Sequence, residues 1–263
     1  MVSIPQLDPL YHRDGERFVP AEFCRGPWDP GAQHGGAPAA LLVTLAEGLV
    51  AEPDWQVVRL TMELMRPVPL APLSVATEAG RGRTVRRIAL TLSHETTTVA
   101  RATVLLQRCE PLGLPAPVGR GPLRPPAACT EPASFRGMPT GTAFHSTAME
   151  TRLESELTGG RAAAWFRLAV PVLPDTPPSP AARAVAAADF GNGISTPLPF
   201  DEYLFTNPDL TVYLHRPADG EWIGVASETV VEPTGIGLTR TTLYDLQGPI
   251  GVAQQDLVIR RRP

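Results

Sequence analysis

The sequence contains no lysine, so all 23 of its basic residues other than histidine are arginines. They are scattered apart from residues 260–262 at the end, and the formal net charge is −4. Binding of nucleic acid needs a positive patch or stripe, so this charge distribution excludes nucleic acid as an expected partner. Arginine in place of lysine, with abundant alanine and proline, is typical of a bacterium with a GC-rich genome.

Cysteine is scarce as well, and long apolar runs are missing. Cys24, Cys109 and Cys129 are odd in number and far apart, without a spacing suited to a metal, so we predict no metal site and no cofactor. No run approaches the roughly 20 apolar residues of a membrane span, and the N-terminus has no apolar core like a signal peptide. These absences predict a cytoplasmic protein with reduced thiols. No GxSxG nucleophile elbow is present.

One pattern is repeated at long range. Residues 60–67 read LTMELMRP and residues 210–217 read LTVYLHRP, which is an offset of 150 positions. The segments that follow end alike, in LLQR at residues 105–108 and LVIR at residues 257–260. A period of this length is too long for a solenoid and indicates one domain that has been duplicated.

The pattern of apolar residues predicts the same plan in both halves. Each half has a helix followed by antiparallel strands, which is an α+β arrangement. The domains are predicted as residues 1–108, a Pro/Gly-rich linker at 109–141, and residues 142–263. The helices are expected at residues 35–50 and 180–190, the second with Ser179 as N-cap and Pro180 at its first position. Strands are expected at residues 57–65, 73–79, 84–93, 97–107, 143–156, 162–172, 210–215, 222–231, 237–244 and 249–260, after a hairpin with its turn at Asp14-Gly15.

Several ordered motifs carry a family resemblance. They are GPWDPGAQHGGAPAALL in the first half, and AAADFGNGIS, FTNPDLTVYLHRP, EWIGVASET and LYDLQGPIGVAQQDLVIR in the second. In these motifs the chain resembles the acyl-CoA thioesterase II-like family of double hotdog proteins. The resemblance implies two tandem hotdog units, each an antiparallel sheet wrapped around a central helix, and the hydrolysis of an acyl-CoA or related acyl thioester.

The resemblance also implies a catalytic group. The family's acid corresponds to Asp189, its glutamine to Gln255 and its hydroxyl residue to Thr229, although Ser227 lies on the same face of that strand. An acid of this kind activates a water molecule, and the hydroxyl and amide complete that water's hydrogen bonds. Asp189 also stands out by itself, because a carboxylate within an Ala/Phe-rich segment is costly unless it is paired or functional.

The start of the first helix is the predicted substrate-binding position. His34, Gly35 and Gly36 place glycines at a helix N-terminus, where free N–H groups and the positive end of the helix dipole favour a developing oxyanion. The expected partners are therefore an acyl-CoA substrate and further copies of the chain, as a dimer of double hotdogs. Two alternatives stay open. One is a hotdog protein that binds an acyl thioester without turnover. The other is an enoyl-CoA hydratase, which usually has a histidine five residues after its aspartate, where this chain has Ile194.

Overall fold

The computed structural model of the protein describes residues 8–50, 52–113, 123–131, 141–154 and 159–262. In these residues 13 strands form one sheet, and helices cover its inner face. The elements of the first half are β1 (Tyr11–Asp14), β2 (Arg17–Pro20), α1 (Gly36–Gly48), β3 (Trp55–Leu64), β4 (Leu73–Ala79), β5 (Val85–His94) and β6 (Thr97–Arg108). Those of the second are β7 (Met149–Leu153), β8 (Arg161–Leu168), α2 (Pro180–Ala188), α3 (Gly191–Ser195), β9 (Tyr203–Thr206), β10 (Asp209–Leu214), β11 (Trp222–Val231), β12 (Ile236–Asp245) and β13 (Gly248–Arg261).

The order of the strands is symmetric about the centre of the sheet. It runs β1-β2-β4-β5-β6-β3-β10-β13-β12-β11-β8-β7, with β9 paired to β13 off this path. β3 and β10 are antiparallel neighbours, and Thr61 lies opposite Thr211, its equivalent in the sequence repeat. A pseudo-twofold axis between the two halves therefore passes through this pair of strands. The two halves join edge to edge into one continuous sheet.

The two main helices lie in the concave side of the sheet and form the core with it. α1 is buried over most of its surface, from Ala37 through Leu41 and Leu42 to Ala46, as its nearly unbroken apolar sequence predicts. α2 starts where it was predicted, because the Ser179 hydroxyl accepts a hydrogen bond from the Ala182 N–H at 3.0 Å. α1 and α2 pack against each other across the two halves. None of the described helices has the length and apolar character needed to cross a membrane.

The structure differs from the predicted elements mainly at the start of the second half. The strand predicted at residues 143–156 is a π-helical turn at Phe144–Ala148 followed by β7, and residues 155–158 lie outside the described residues. Ser146 explains the turn, since its hydroxyl accepts from the Ala143 N–H at 3.2 Å, a local bond that competes with strand pairing. The strand predicted at 162–172 ends at Leu168, while α3 and β9 were not predicted. Much of the predicted linker, at residues 114–122 and 132–140, also lies outside the described residues.

Candidate active site

A cavity of about 420 Å³ lies where α1 begins and α2 ends, between the two halves of the chain. Its wall is mainly apolar, with Trp28 among the lining residues. Trp28 comes from the first half and packs on Phe200 and Phe205 of the second, with ring centroids 4.9 and 4.6 Å apart. An apolar cavity of this size with a few polar groups is the usual form of a small-molecule site. The polar or charged side chains in its lining are Asp29, Gln33, His34, Arg66, Asp189, Asn192, Thr206 and Asn207.

Asp189 is the central acidic group of this cavity. It caps the C-terminal end of α2 and is 4% exposed. Its Oδ1 accepts hydrogen bonds from the side-chain amides of Gln255, at 3.1 Å, and Asn207, at 2.9 Å. Its Oδ2 lies 2.9 Å from Nδ1 of His34. A buried carboxylate is stable only when donors replace the lost water, and three donors do so here.

His34 is held in place by its loop and by two aromatic rings. The backbone N–H of His34 donates to the Cys24 carbonyl at 2.8 Å. The imidazole stacks against both Phe144 and Phe190, with centroid distances of 4.9 and 4.4 Å. The ring therefore has little freedom to turn away from Asp189. Because Phe144 and Phe190 belong to the second half, His34 reaches its position only when the two halves are packed together.

The residue before the histidine anchors the same loop. The Gln33 side-chain amide donates to the Pro69 carbonyl at 2.7 Å, and its Oε1 accepts from the Tyr11 hydroxyl. Burial, with a smaller contribution from Cys24, raises the pKa of Tyr11 well above its usual value. The Tyr11 hydroxyl therefore stays protonated and remains a donor across the physiological range of pH.

The Nδ1 atom of His34 has two neighbours that compete for it. Besides Asp189 at 2.9 Å, the Gly36 N–H points to it at 3.1 Å. One ring nitrogen carries either a proton or a lone pair, so it donates to Asp189 or accepts from Gly36 but does not do both. A charge-assisted bond to a carboxylate is the stronger of the two, and we assign Nδ1 as protonated when Asp189 is charged. The Gly36 N–H is then left without this acceptor.

Both glycines of the predicted substrate-binding segment are required by close approach. A Cβ atom on Gly35 would lie 2.8 Å from Oδ2 of Asp189. A Cβ on Gly36 would lie 2.7 Å from the Ala186 carbonyl oxygen and 3.0 Å from the Phe144 ring. Gly35 has φ −60° and ψ −23°, which any residue adopts, so space rather than backbone conformation is what requires glycine. α1 and the carboxylate thereby come close enough for the histidine contact.

The Gly36→Ala variant is expected to lose about 1–3 kcal/mol of folding free energy, because the new methyl group pushes α1 away from α2. Gly48→Ala is the matched control. Gly48 ends the same helix and a Cβ there meets no atom within 4 Å, so alanine should leave stability unchanged or raise it by less than about 1 kcal/mol. Thermal unfolding of the two variants beside the parent measures the difference. Equal melting temperatures would contradict the close packing of α1 on α2.

The two amide donors come from separate elements of the second half. Gln255 lies on the inner face of β13, and its Oε1 accepts from the Asn192 N–H of α3 at 3.3 Å. Asn207 lies in the turn between β9 and β10, and its amide also donates to the Asp209 carbonyl at 3.0 Å. Asn207 was not predicted from the sequence, since an Asn-Pro pair before a strand is an ordinary turn signal. The signal that could have identified Asn207 is its position, three residues before Leu210, where the repeated motif begins.

The structure does not bring Thr229 into this group. Its hydroxyl bonds to Ser195 at 2.6 Å and to Thr239 at 2.7 Å, inside the second half beneath α3. Ser227, the alternative, bonds to Thr241 at 2.7 Å in the same way. Neither is among the residues that line the cavity, where the hydroxyl side chain is that of Thr206. The bond between Thr229 and Ser195 holds α3 against the sheet, whereas the bond between Ser227 and Thr241 joins β11 to β12.

The part of the chain that the structure describes contains no group of side chains suited to bind a metal ion. Among those residues, no three His, Cys, Asp or Glu side chains are grouped so as to hold a metal ion. What this arrangement offers instead is a buried carboxylate, an imidazole and the start of a helix at one apolar cavity.

Comparison of the sequence with family models matches both halves. The model described as the acyl-CoA thioesterase N-terminal domain matches residues 24–107, and that of the acyl-CoA thioesterase C-terminal domain matches residues 122–259. The chain belongs to the acyl-CoA thioesterase family. No curated protein matches its sequence.

Solved structures of similar proteins have the same fold as this chain. A Novosphingobium aromaticivorans protein, provisionally named a thioesterase, has a TM-score of 0.74 at 20% identity, covering 96% of this chain and 99% of its own. The tesB protein of Mycobacterium avium subspecies paratuberculosis has a TM-score of 0.65 at 16% identity, with 96% of each chain covered. Acyl-CoA thioesterase II TesB2 of Mycobacterium marinum has a TM-score of 0.64 at 15% identity, covering 87% of this chain and 89% of its own. The predicted α+β double hotdog fold is confirmed.

Proposed function

We propose that this family member hydrolyses acyl-CoA or a related acyl thioester with an activated water molecule. The observation that carries the proposal is the buried Asp189 carboxylate at the apolar cavity, held by Gln255 and Asn207 on one oxygen and facing His34 on the other. A thioester needs an apolar space for its acyl chain and a base for water. The family models support the same reaction, since both describe acyl-CoA thioesterase domains.

Counting lone pairs supports Asp189 as the base. Its Oδ1 already accepts two amide donors, which fills both of its usual acceptor positions. Its Oδ2 has one partner among the described side chains, His34, and keeps a second position for water. We infer that water bound at Oδ2 attacks the thioester carbonyl and gives its proton to Asp189. The C–S bond then breaks, and the leaving thiolate takes up the proton that Asp189 received, which restores the carboxylate.

His34 and the two glycines supply the remaining groups. A protonated Nδ1 holds Oδ2 in position before the attack. The Gly35 N–H has no acceptor among the described residues, and the Gly36 N–H loses its own when Nδ1 is protonated. Both belong to the positive end of α1, which favours the developing oxyanion. Gly35 lines the cavity, so its N–H is the donor available there, whereas the Gly36 N–H still faces the His34 ring. Thr229 has no part in this mechanism.

The alternatives from the sequence differ in what they require. A protein that only binds an acyl thioester has no need for a buried carboxylate with three donors beside the cavity. A hydratase of the kind considered needs a histidine where Ile194 stands, and Ile194 is buried and apolar. Hydrolysis is therefore the function that the site favours.

Further proposals concern the organisation of the chain. We retain the proposed division into residues 1–108, a linker at 109–141 and residues 142–263. The N-terminal family model ends at residue 107, and the C-terminal model begins at residue 122, inside the proposed linker. We also infer a dimer of double hotdogs, because Tyr213 and Val252 leave apolar side chains exposed on the outer face of the sheet. A mass of one chain at all concentrations in solution scattering would overturn the dimer. Cytoplasmic location stays a prediction, and we propose a role in fatty-acid metabolism on the same family membership.

The experiment that tests the function is a thiol-release assay over a series of acyl-CoA chain lengths. We expect turnover with at least part of the series, together with mass-spectrometric detection of the free acid. Ligands that purify with the protein should be identified in parallel. Tight binding of acyl-CoA without release of thiol by the freshly purified chain would favour the binding protein instead.

Gln255 provides a graded test of the same site. Gln255→Leu removes one donor from a charged acceptor, and we expect kcat to fall by about tenfold to hundredfold. Gln254→Leu is the matched control, because Gln254 is the next residue of the same strand and points to solvent on the other face. The control should keep parental kcat. Equal kcat for the two variants, at equal melting temperatures, would show that the amide of Gln255 does not support Asp189 during turnover.

A further inference from the structure

The duplication creates two equivalent arginines. Arg66 follows β3 and Arg216 follows β10, each before a proline in the repeated motif, 150 positions apart. The pairing of β3 with β10 has the same symmetry, since Leu60 lies opposite Val212 and Met62 opposite Leu210. The two side chains therefore start from equivalent places at opposite ends of the central pair of strands.

In the second half the arginine forms a structural ion pair. Arg216 binds both oxygens of Asp245, the last residue of β12, with one distance of 2.7 Å. Asp245 is fully buried, and its carboxylate also accepts from the Asp219 and Gln247 N–H groups at 2.8 Å each. Arg216 is thus needed to stabilise the turn after β12.

In the first half the corresponding acid is absent. The last residue of β5 is His94, whose Nδ1 contacts the Pro72 carbonyl at 3.2 Å. Among the described residues no carboxylate pairs with Arg66, and this arginine is exposed. Arg66 lines the same cavity as Asp189, and the exposed acid of that cavity, Asp29, accepts instead from the Gly31 N–H of its own loop at 2.8 Å.

We propose that Arg66 binds a phosphate of the substrate's thiol carrier. This inference rests on the proposed thioester hydrolysis and names the group that the site recognises outside the reacting bond. The buried Asp189 and the exposed Arg66 belong to one cavity, so a thioester can reach the carboxylate while an anion stays near water. A guanidinium presents parallel N–H groups that match the oxygens of a phosphate. Since Arg66 has no carboxylate partner within the described part of the chain, its guanidinium is open to a ligand.

The test compares two substrates with one acyl group, a hexanoyl-CoA and the hexanoyl thioester of N-acetylcysteamine, which has no phosphate. For Arg66→Gln we expect KM of the CoA thioester to rise by about tenfold to hundredfold, and KM of the phosphate-free thioester to stay as in the parent. Arg101→Gln is the matched control, because Arg101 is an exposed arginine of β6 that lies outside the cavity. It should change neither KM.

The possible outcomes separate this inference from the proposed function. An equal change with both substrates would assign Arg66 a structural role and overturn the inference. If Arg66→Gln raised KM only for an ω-carboxyacyl thioester of N-acetylcysteamine, Arg66 would bind an anion at the acyl end of the substrate. That result would also overturn the inference. If the parent hydrolyses no member of the acyl-CoA chain-length series, the proposed function fails. Calorimetric titration with CoA then decides on Arg66: weaker binding by Arg66→Gln supports the phosphate contact, and equal binding refutes it.

Discussion

Replacing Asp189 by asparagine is expected to lower kcat on an acyl thioester by about 10²–10⁴-fold, the usual contribution of a general base. The change keeps the shape of the site. The new side-chain oxygen accepts from Gln255 and Asn207, and its NH₂ group faces Nδ1 of His34, which accepts in its other tautomer. Binding of the substrate should therefore be largely kept, and steady-state kinetics with a thiol-release readout measures the loss.

The matched control for this substitution is Asp256→Asn. Asp256 follows Gln255 in β13, is exposed on the outer face of the sheet and lies outside the cavity lining. It loses the same charge and should retain parental kcat. Parental turnover by Asp189→Asn, with a substrate whose products are verified, would refute the mechanism. A fall in both variants would point to the net charge rather than to the site.

The second substitution with a large expected effect, at Arg216, changes the stability of the fold. Arg216→Gln is expected to lower the free energy of unfolding by about 2–4 kcal/mol, because it leaves the carboxylate of Asp245 buried with a net charge and no cation. Chemical denaturation measures the change. Arg161→Gln is the control, since Arg161 and Glu228 form an exposed pair on β8 and β11 that should contribute less than about 1 kcal/mol.

The pH dependence of this difference follows from Asp245. Burial acts to raise the pKa of its carboxyl, but Arg216 and the N–H groups of Asp219 and Gln247 outweigh burial and hold the pKa below its ordinary value. A lowered pKa stabilises the folded state above the ordinary value of about 4, and the stabilisation is lost as pH falls through the lowered pKa. The gap between parent and Arg216→Gln should therefore narrow below about pH 4. A gap that is constant down to pH 2 would contradict this ion pair as its source.

Much of the architecture follows from local sequence. The repeated motif around Leu60 and Leu210 predicted the duplication, and the sheet is symmetric about the pairing of these two strands. Helix α2 begins at Pro180 because a serine cap and a proline act within one turn. Such signals need no distant contact, and so one sequence suffices to predict them. The turn at Phe144–Ala148 was missed because a side-chain bond to the backbone overrides the apolar pattern there.

The composition of the site depends on contacts between distant residues. By sequence alone, through the motifs of the family, Asp189, Gln255 and the His34 segment were candidates, each with its role still a prediction. Only the packing of the two halves brings the imidazole within 2.9 Å of the carboxylate. Contacts between distant residues of the second half add Asn207 to the site and leave Thr229 beneath α3. Arg66 and Arg216 occupy the same position of the repeated motif. Their tertiary neighbours, His94 in one half and Asp245 in the other, decide which arginine has a carboxylate partner among the described residues. Side-chain type and periodicity act over a few residues, whereas the partners of a side chain depend on how remote segments pack.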